Sequence, residues 1–212
     1  MSRKTVLIVF CVLLLQAALQ AQKPAEKVSY ETLLERVKKQ DASVNFQELR
    51  LAYTETKQYN PYGGDREARK AMFTALKAEQ YDQALSFSEK TLTANYLDIN
   101  AHFGAYVANR ELGHSEKADY HKNIFQRLLK SVSDSGDGKT METAFIVIST
   151  NEEYALFNVI GLRPTAQALI EDKGHRYDKM TVTDPKNDQS ITFYFNIDKP
   201  FDWLGNSLKS KE

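Results

Sequence analysis

The spacing of apolar residues changes near residues 133–140, the segment SDSGDGKT, and this change constrains the fold more than any other feature. From Tyr30 to about Val132, apolar residues recur at intervals of three and four, which is typical of amphipathic helices. After Thr140, short apolar runs and alternating segments follow, which are typical of β-strands. The chain therefore has a helical half followed by a β half, and we expect an α+β fold.

The helical half contains an internal repeat of 34 residues. After the breaker NPYGGD, helices are predicted at about 66–79, 81–95, 99–112 and 115–132. EQYDQAL (79–85) and GHSEKAD (113–119) superpose at that offset, which sets Ala84 on Ala118. A helix–turn–helix unit of this length resembles the tetratricopeptide repeat, although the Trp and Gly of that pattern's first helix are absent here. We predict tetratricopeptide-like antiparallel helical pairs over 45–133, preceded by a 22–44 segment with one helix.

Five runs predict strands in the β half. AFIVIST and EYALFNVIGL are continuous apolar runs, whereas TAQALIED, YDKMTVTD and ITFYFNID alternate. The links between the runs are short and rich in turn residues, so consecutive strands should pair as antiparallel hairpins. We predict a four- or five-stranded antiparallel β-meander over residues 134–212, with one face packed on the helices.

The first 21 residues have the layout of a secretory signal peptide. A short basic start precedes the apolar run VLIVFCVLLL, and QAALQA then leads to a polar segment, with cleavage expected after Ala21. The apolar run is short for a bilayer span, which makes an uncleaved anchor the less favoured alternative. We expect an exported protein, periplasmic or secreted, with no membrane span after cleavage.

Removal of the signal peptide changes both the charge and the cysteine content. The chain has 28 basic and 28 acidic residues, and loss of Arg3 and Lys4 leaves 26 basic residues against the same 28 acids. A nearly neutral protein has no bulk electrostatic reason to bind nucleic acid. Cys11 is the only cysteine, so the mature chain is expected to have no disulfide, thiolate nucleophile or cysteine-bound metal.

The segment SDSGDGKT ends in Gly-Lys-Thr, as phosphate-binding loops do. Such a loop needs an earlier glycine where this chain has Ser133, and it joins a strand to a helix rather than a helix to a strand. A calcium loop of the EF-hand type would place its last ligand at Ala144, which cannot bind calcium. The favoured interpretation is a helix stop. Asp134, Asp137 and Lys139 remain candidates for weak ion or ligand contact.

Other catalytic and metal-binding patterns are weak. His121 lies on an apolar helical stripe, where a packing role is favoured, and no third ligand accompanies it and His102. No nucleophile motif is present. Glu152 and Glu153 are adjacent in a predicted strand and would point to opposite faces. We therefore predict no catalytic residue, no metal site and no cofactor.

The first helix of each predicted pair suggests a binding surface. In tetratricopeptide proteins these helices line a groove for extended peptides, and the corresponding spacing here gives a basic row with interleaved apolar positions. Such a row suits acidic peptides or a C-terminal carboxylate. The alternatives are a solvated helix face or a surface covered by the sheet. The candidate residues are Arg66, Arg69, Lys70, Phe73, Lys77, Asn100, Phe103, Val107 and Arg110.

Four strings of the sequence are similar to those of a known family. YNPYGG, LDINAHFGAY, SGDGKTMETAFIVISTNEEYA and FYFNIDKPFDWL are spread from about residue 45 to the end. With them the chain resembles an uncharacterised family of exported bacterial proteins of the Bacteroides type, domain-of-unknown-function family forty-nine nineteen. The resemblance implies a signal peptide and a tetratricopeptide-like helical part, and it carries no catalytic residue.

These observations lead to three functional hypotheses. The leading one is an exported, non-enzymatic interaction or scaffold module whose partner is another protein or peptide of the cell envelope. The alternative is a small-ligand or metal-binding protein, or an enzyme, that uses the loop from Asp134 to Thr140 with nearby His or Tyr side chains. The third is a structural subunit of an envelope complex.

Overall fold

A computed structural model describes residues 27–63 and 66–209, which form eight helices and four strands. The predicted signal peptide, residues 1–21, lies outside the described residues. The helices are α1 (Tyr30–Lys38), α2 (Phe46–Tyr53), α3 (Arg66–Lys77), α4 (Tyr81–Ala94), α5 (Ile99–Glu111), α6 (Ser115–Ser133), α7 (Thr150–Ile160) and α8 (Asp198–Lys209). The strands are β1 (Phe145–Ile146), β2 (Arg163–Asp172), β3 (His175–Thr183) and β4 (Ser190–Asn196).

Helices α3 to α6 pack consecutively as two hairpins. Their connections are only three or four residues long, so neighbouring helices run antiparallel. The alanines superposed by the 34-residue offset, Ala84 and Ala118, are buried at the helix contacts, where small side chains permit close packing, and Ala105 on α5 is buried as well. Asp98 caps α5 by accepting the backbone N–H of Ala101 at 2.9 Å.

The α+β class is confirmed, but the strictly antiparallel meander is wrong. The sheet order is β1-β4-β3-β2, in which the β2/β3 and β3/β4 pairs are antiparallel and the β1/β4 pair is parallel. AFIVIST contributes only the two residues of β1. The three alternating runs form β2, β3 and β4 as predicted. Burial alternates along most of β3, whereas β2 is largely exposed on both faces.

The predicted strand EYALFNVIGL is instead part of helix α7. Helix α7 packs against the sheet on one side and the helices on the other, and its interior residues Ala155, Leu156 and Phe157 are buried. Burial on both sides removes the polar face that reveals a helix in the sequence. The helix ends at Gly161, whose φ of +75° belongs to the left-handed region that glycine favours.

The β region also ends in a helix, α8, which the sequence prediction did not include. Pro200 is at its third residue, a position in the first turn that proline tolerates because the N–H is unpaired there. The Arg176 guanidinium lies 4.4 Å from the centre of the Phe201 ring, and Trp203 lies 6.1 Å from the ring of Tyr62. Helix α8 thus covers one end of the sheet.

The loop between α6 and β1 connects the two halves through backbone hydrogen bonds. The N–H groups of Asp137 and Gly138 both donate to the carbonyl of Thr143, at 3.0 and 2.8 Å. The N–H of Tyr194 donates to the carbonyl of Gly138 at 2.8 Å, which attaches the loop to β4. Gly138 has a φ of +67°, which lies in the left-handed region that glycine favours. This agrees with the interpretation of the segment as a helix stop at which the chain reverses.

Gly136 in this loop has no room for a larger side chain. A Cβ there would overlap the carbonyl oxygen of Thr143 and lie 2.7 Å from that of Ala144, and backbone oxygens cannot rotate away. We expect Gly136→Ala to lower the free energy of unfolding by roughly 1–3 kcal/mol, measured by urea denaturation. Gly205→Ala is the matched control, because a Cβ at Gly205 in α8 meets nothing within 4 Å. Equal stability of the two variants would contradict the prediction.

Candidate functional site

An open groove of about 560 Å³ runs between helix α7 and the first helices of the two hairpins, α3 and α5. Its walls are largely apolar, with two amides as the polar groups. The lining residues are Phe73, Asn100, Phe103, Phe125, Ala155, Asn158 and Val159. A cleft of this size and character is the usual form of a binding site for an apolar group.

The groove has a partly buried aromatic floor and exposed apolar rims. The rings of Phe103 and Phe125 lie 5.4 Å apart at the floor, where α5 packs against α6. Phe73 on α3 is 37% exposed and Val159 on α7 is 49% exposed, so both rims present apolar surface to water. Neighbouring exposed apolar groups in a concave surface are more informative than isolated ones, because isolated ones are normal on any protein.

Basic side chains continue the rim along α3. Arg66, Lys70 and Lys77 are exposed, and their spacing from Phe73 places all four residues on one side of the helix. The structure therefore brings together Phe73, Asn100 and Phe103 of the predicted row in one groove, with the exposed cations of α3 beside it.

Arg69 belongs to the interior of the fold rather than to the open groove. Its Nη2 donates to Oδ2 of Asp98 at 2.8 Å and its Nη1 donates to Oδ1 of Asn151 at 3.2 Å. The Arg69 side chain is only 13% exposed and that of Asp98 only 2%. Arg69 therefore holds α3, the start of α5 and the start of α7 together, and its charge is already paired.

Arg110 is also separate from the groove. It pairs with Glu111 and lies 5.4 Å from the ring of Tyr106, near the far end of α5. Val107, one turn earlier on the same helix, is partly buried and does not line the groove. Of the predicted row, Phe73, Asn100 and Phe103 therefore line the groove, whereas Arg69, Val107 and Arg110 do not.

The sequence prediction missed one wall of the groove completely. Ala155, Asn158 and Val159 belong to α7, which was predicted as a strand, and Phe125 lies on the second helix of its hairpin. A signal for α7 exists in the sequence, since Ser149 followed by Glu152 matches the capping-box pattern and Gly161 follows the last helical residue.

The loop candidates make hydrogen bonds among themselves. Asp134 accepts from Lys130 at 2.7 Å, and Asp137 accepts from the Thr143 hydroxyl at 2.6 Å and from the N–H of Lys139 at 3.0 Å. The hydrogen bond from Thr143 lowers the pKa of Asp137. Across residues 27–63 and 66–209, no group of three or more His, Cys, Asp or Glu is arranged to hold a metal ion. These contacts give the loop a structural role.

The two helical histidines form a pair in which His102 is buried and His121 is partly buried. His102 Nε2 lies 2.8 Å from the carbonyl of Tyr96, so this nitrogen carries the proton, and His102 Nδ1 accepts from His121 Nδ1 at 3.0 Å. Burial is the main cause that lowers the pKa of His102 to about 3 and that of His121 to about 4. Both rings are therefore neutral near pH 7, and the pair packs the interface between α5 and α6.

A second buried pair consists of two acids, Glu153 on α7 and Asp178 on β3. Glu153 is fully buried and neither of its carboxyl oxygens has a donor partner, whereas Asp178 accepts from Gln167 Nε2 at 2.8 Å. Burial, followed by the charge of Asp178, raises the pKa of Glu153 to about 9. A protonated Glu153 can donate to Asp178, which explains how two adjacent acids are accommodated beneath α7.

Comparison with known proteins identifies one family. The model of the family described as "Domain of unknown function (DUF4919)" matches residues 19–204. No curated protein and no solved structure matches the chain. Among the helices in the described part of the chain, none is both long enough and apolar enough to span a membrane.

Proposed function

The chain belongs to the DUF4919 family, and we propose that it is an exported, non-enzymatic interaction module whose binding surface is the groove between α3, α5 and α7. The observation that carries the proposal is the exposure of Phe73 and Val159 on opposite rims of one apolar cleft. Its occupant is an apolar segment of another protein, flanked by acidic residues.

The apolar part of the proposal follows from the energetics of the rims. Full burial of a Phe or Val side chain contributes roughly 1.5–3 kcal/mol, so both rims together provide a useful share of a micromolar interaction. The aromatic floor formed by Phe103 and Phe125 offers a firm surface for one inserted side chain. No such gain is available to a small polar ligand, which makes a protein segment the favoured occupant.

The acidic flanks follow from the charges on α3. Arg66, Lys70 and Lys77 are exposed on the side of the helix that carries Phe73. Carboxylates next to an inserted apolar side chain would meet these cations at the rim, where they increase the association rate and set the orientation of the segment. Arg69 and Arg110 have no part in this recognition, because both are paired within the chain.

The remaining parts of the proposal come from the sequence. The signal-peptide pattern of residues 1–21 supports export to the periplasm or beyond, and hence a partner in the cell envelope. The 34-residue offset and the buried alanines support a tetratricopeptide-like origin of the hairpins, in which first helices line a peptide groove. The resemblance of four sequence strings to an exported family of the Bacteroides type agrees with both features.

Selection from a random peptide library displayed on phage tests this function. We expect the protein to enrich peptides that carry a large apolar residue with neighbouring Asp or Glu. Phe73→Asp combined with Val159→Asp should weaken binding of a selected peptide at least ~10-fold, because the inserted side chain would lose its apolar rims. Lys70→Glu combined with Lys77→Glu should weaken acidic peptides but not neutral variants of the same peptides.

Leu208→Ser is the matched control for this selection, because Leu208 is 60% exposed on α8 and does not line the groove. All variants should retain the wild-type circular dichroism spectrum, since the substituted side chains are exposed. Failure to enrich any peptide would refute the proposal, as would unchanged binding by the Phe73→Asp, Val159→Asp variant.

A further inference from the structure

Strand β2 forms an open edge of the sheet. It is ten residues long, and it is the terminal strand in the order β1-β4-β3-β2, so one side of its backbone has no strand partner within the described residues. Eight of its ten residues are exposed and the other two are partly buried. A long edge strand with free N–H and C=O groups is a ready template for pairing with another strand.

The centre of β2 lacks the usual protection against such pairing. Natural edge strands are blunted by charged residues, especially lysine, whereas residues 165–170, TAQALI, carry no charge. The apolar residue Leu169 is 58% exposed within this stretch. The charges of β2 are confined to its ends, with Arg163 at the start and Glu171 and Asp172 at the finish.

This arrangement of charges is complementary to itself in the antiparallel direction. A bulge between Pro164 and Ala166 leaves one residue out of the pairing with β3. Consider two copies of β2 that pair about an axis at Ala168. Arg163 is then five residues before the axis and Asp172 is four residues after it. Because the bulged residue takes no part in the pairing, the two residues are the same number of paired positions from the axis. Arg163 and Asp172 then lie opposite each other and on the same face, since their β3 partners Thr183 and His175 share a face.

We propose that β2 is a self-association surface, through which two copies of the chain join their sheets into one continuous eight-stranded sheet around Ala168. The small side chain of Ala168 lets the two strands approach at the axis. Two Arg163–Asp172 pairs close the ends of the interface. Within one chain these two residues are nearly 30 Å apart along the strand, too far to contact each other.

The neighbouring helix α7 enlarges this interface. The Tyr154 hydroxyl donates to Oε1 of Gln167 at 3.4 Å, which places this 43% exposed ring beside β2. Leu169 lies on the face that α7 covers, because its β3 partner Asp178 faces Glu153. Two-fold pairing brings Leu169 of each copy opposite Gln167 of the other and so covers apolar surface that one copy leaves in water.

Disulfide trapping tests the axis directly. In protein whose only native cysteine, Cys11, is absent or replaced by serine, Ala168→Cys should give a covalent dimer on mild oxidation, because the two Cβ atoms face each other at about 5 Å. Ala166→Cys is the matched control on the same face, where the two sulfurs would be more than ~10 Å apart. We expect a much higher yield of covalent dimer for Ala168→Cys.

A charge swap tests the ends of the interface. Sedimentation velocity should show a reversible dimer for the wild type, and Arg163→Asp should weaken it by ~10-fold or more, since two pairs of like charges then face each other. Arg163→Asp combined with Asp172→Arg should restore the dimer. A wild type that stays monomeric at every concentration would overturn the proposal. So would equal trapping of the two cysteine variants, or a charge swap that restores nothing.

These results are separable from those of the proposed function. The groove residues Phe73 and Val159 are absent from β2, and the residues of β2 do not line the groove. Loss of the dimer in the β2 variants with unchanged peptide selection would support the self-association surface alone, and the reverse result would support the groove alone.

Discussion

Replacement of Arg50 by methionine is expected to lower the free energy of unfolding by roughly 3–5 kcal/mol. Arg50 is 1% exposed, and it pairs with the buried Glu152 through two hydrogen bonds, Nε to Oε1 at 2.8 Å and Nη2 to Oε2 at 2.6 Å. Its guanidinium also donates to the carbonyls of Ser131 and Ile146, at 3.1 and 2.8 Å. One side chain thus joins α2, α6, β1 and α7.

The large effect arises because the substitution leaves Glu152 without its charged partner. Methionine fills much of the volume of arginine, but Glu152 is left as a buried carboxylate whose remaining hydrogen bond is the 2.9 Å contact from the N–H of Ile148. Arg50→Met combined with Glu152→Gln removes that unpaired charge. We expect the double variant to be more stable than the Arg50 single variant, which is a strong departure from additivity.

Urea denaturation followed by circular dichroism measures these differences. Arg36→Met is the matched control, because Arg36 pairs with Asp41 at 2.9 Å with both side chains more than one-third exposed. Such a surface pair contributes about 0–1 kcal/mol. A loss below about 1 kcal/mol for Arg50→Met would show that the buried pair is not what joins these four elements.

Replacement of Glu153 by glutamine is expected to stabilise the protein at alkaline pH, by roughly 2–5 kcal/mol near pH 8. Burial raises the pKa of Glu153 from its ordinary value of 4.5 to about 9. The folded protein therefore keeps a proton that the unfolded chain releases above about pH 4.5. The contribution of this group to stability is complete below that pH and declines as the pH rises towards 9.

Glutamine has nearly the shape of the protonated acid and donates to Asp178 without any proton uptake. The difference in unfolding free energy between variant and wild type should therefore grow from pH 5 to pH 8 in urea titrations. Glu116→Gln, an exposed position on α6, should show no such growth. A pH-independent difference would mean that Glu153 is ionised in the folded protein.

On the acid side of the profile, down to about pH 4.5, the Glu153 variant should lose stability more steeply than the wild type, because the contribution of Glu153 returns in the wild type as the pH falls and partly offsets the loss. His102 and His121 have pKa values lowered to about 3 and 4. As the pH falls below about 6.5, the unfolded chain therefore binds protons before the folded protein does. Both proteins should lose stability in this range. The acid loss and the alkaline loss thus have separate origins in the helical half and the β half.

The sequence predicted those elements whose apolar residues follow a regular period. Burial alternates along β3, with Met180 and Val182 in the core, whereas β2 keeps an alternating sequence although its residues are exposed or partly buried on both faces. Helix α7 gave no helical period because sheet and hairpins bury it from two sides. The sequence did not predict the burial of Glu152 and Glu153, since burial of Glu152 depends on Arg50, which is 102 residues distant.

Some residues of the candidate site could be predicted from local spacing, and others could not because they depend on how separate elements meet. Phe73, Asn100 and Phe103 could be found from helical spacing on α3 and α5, because one helix face is a local property. The α7 wall could not, since it depends on an element that was assigned to the wrong class. The capture of Arg69 by Asp98 and Asn151 depends on how three separate elements meet, which no spacing rule describes.

The position of α7 between the two halves also has a consequence for how the chain folds. Contacts within α3 to α6 join residues close in sequence, whereas the Arg50–Glu152 pair and the parallel β1/β4 pair close long loops. Loop-closure entropy therefore favours early formation of the hairpins and late docking of α7. Because both halves also bury apolar surface against this last element in one continuous core, we expect them to be lost together in one cooperative transition despite their different sequence periods.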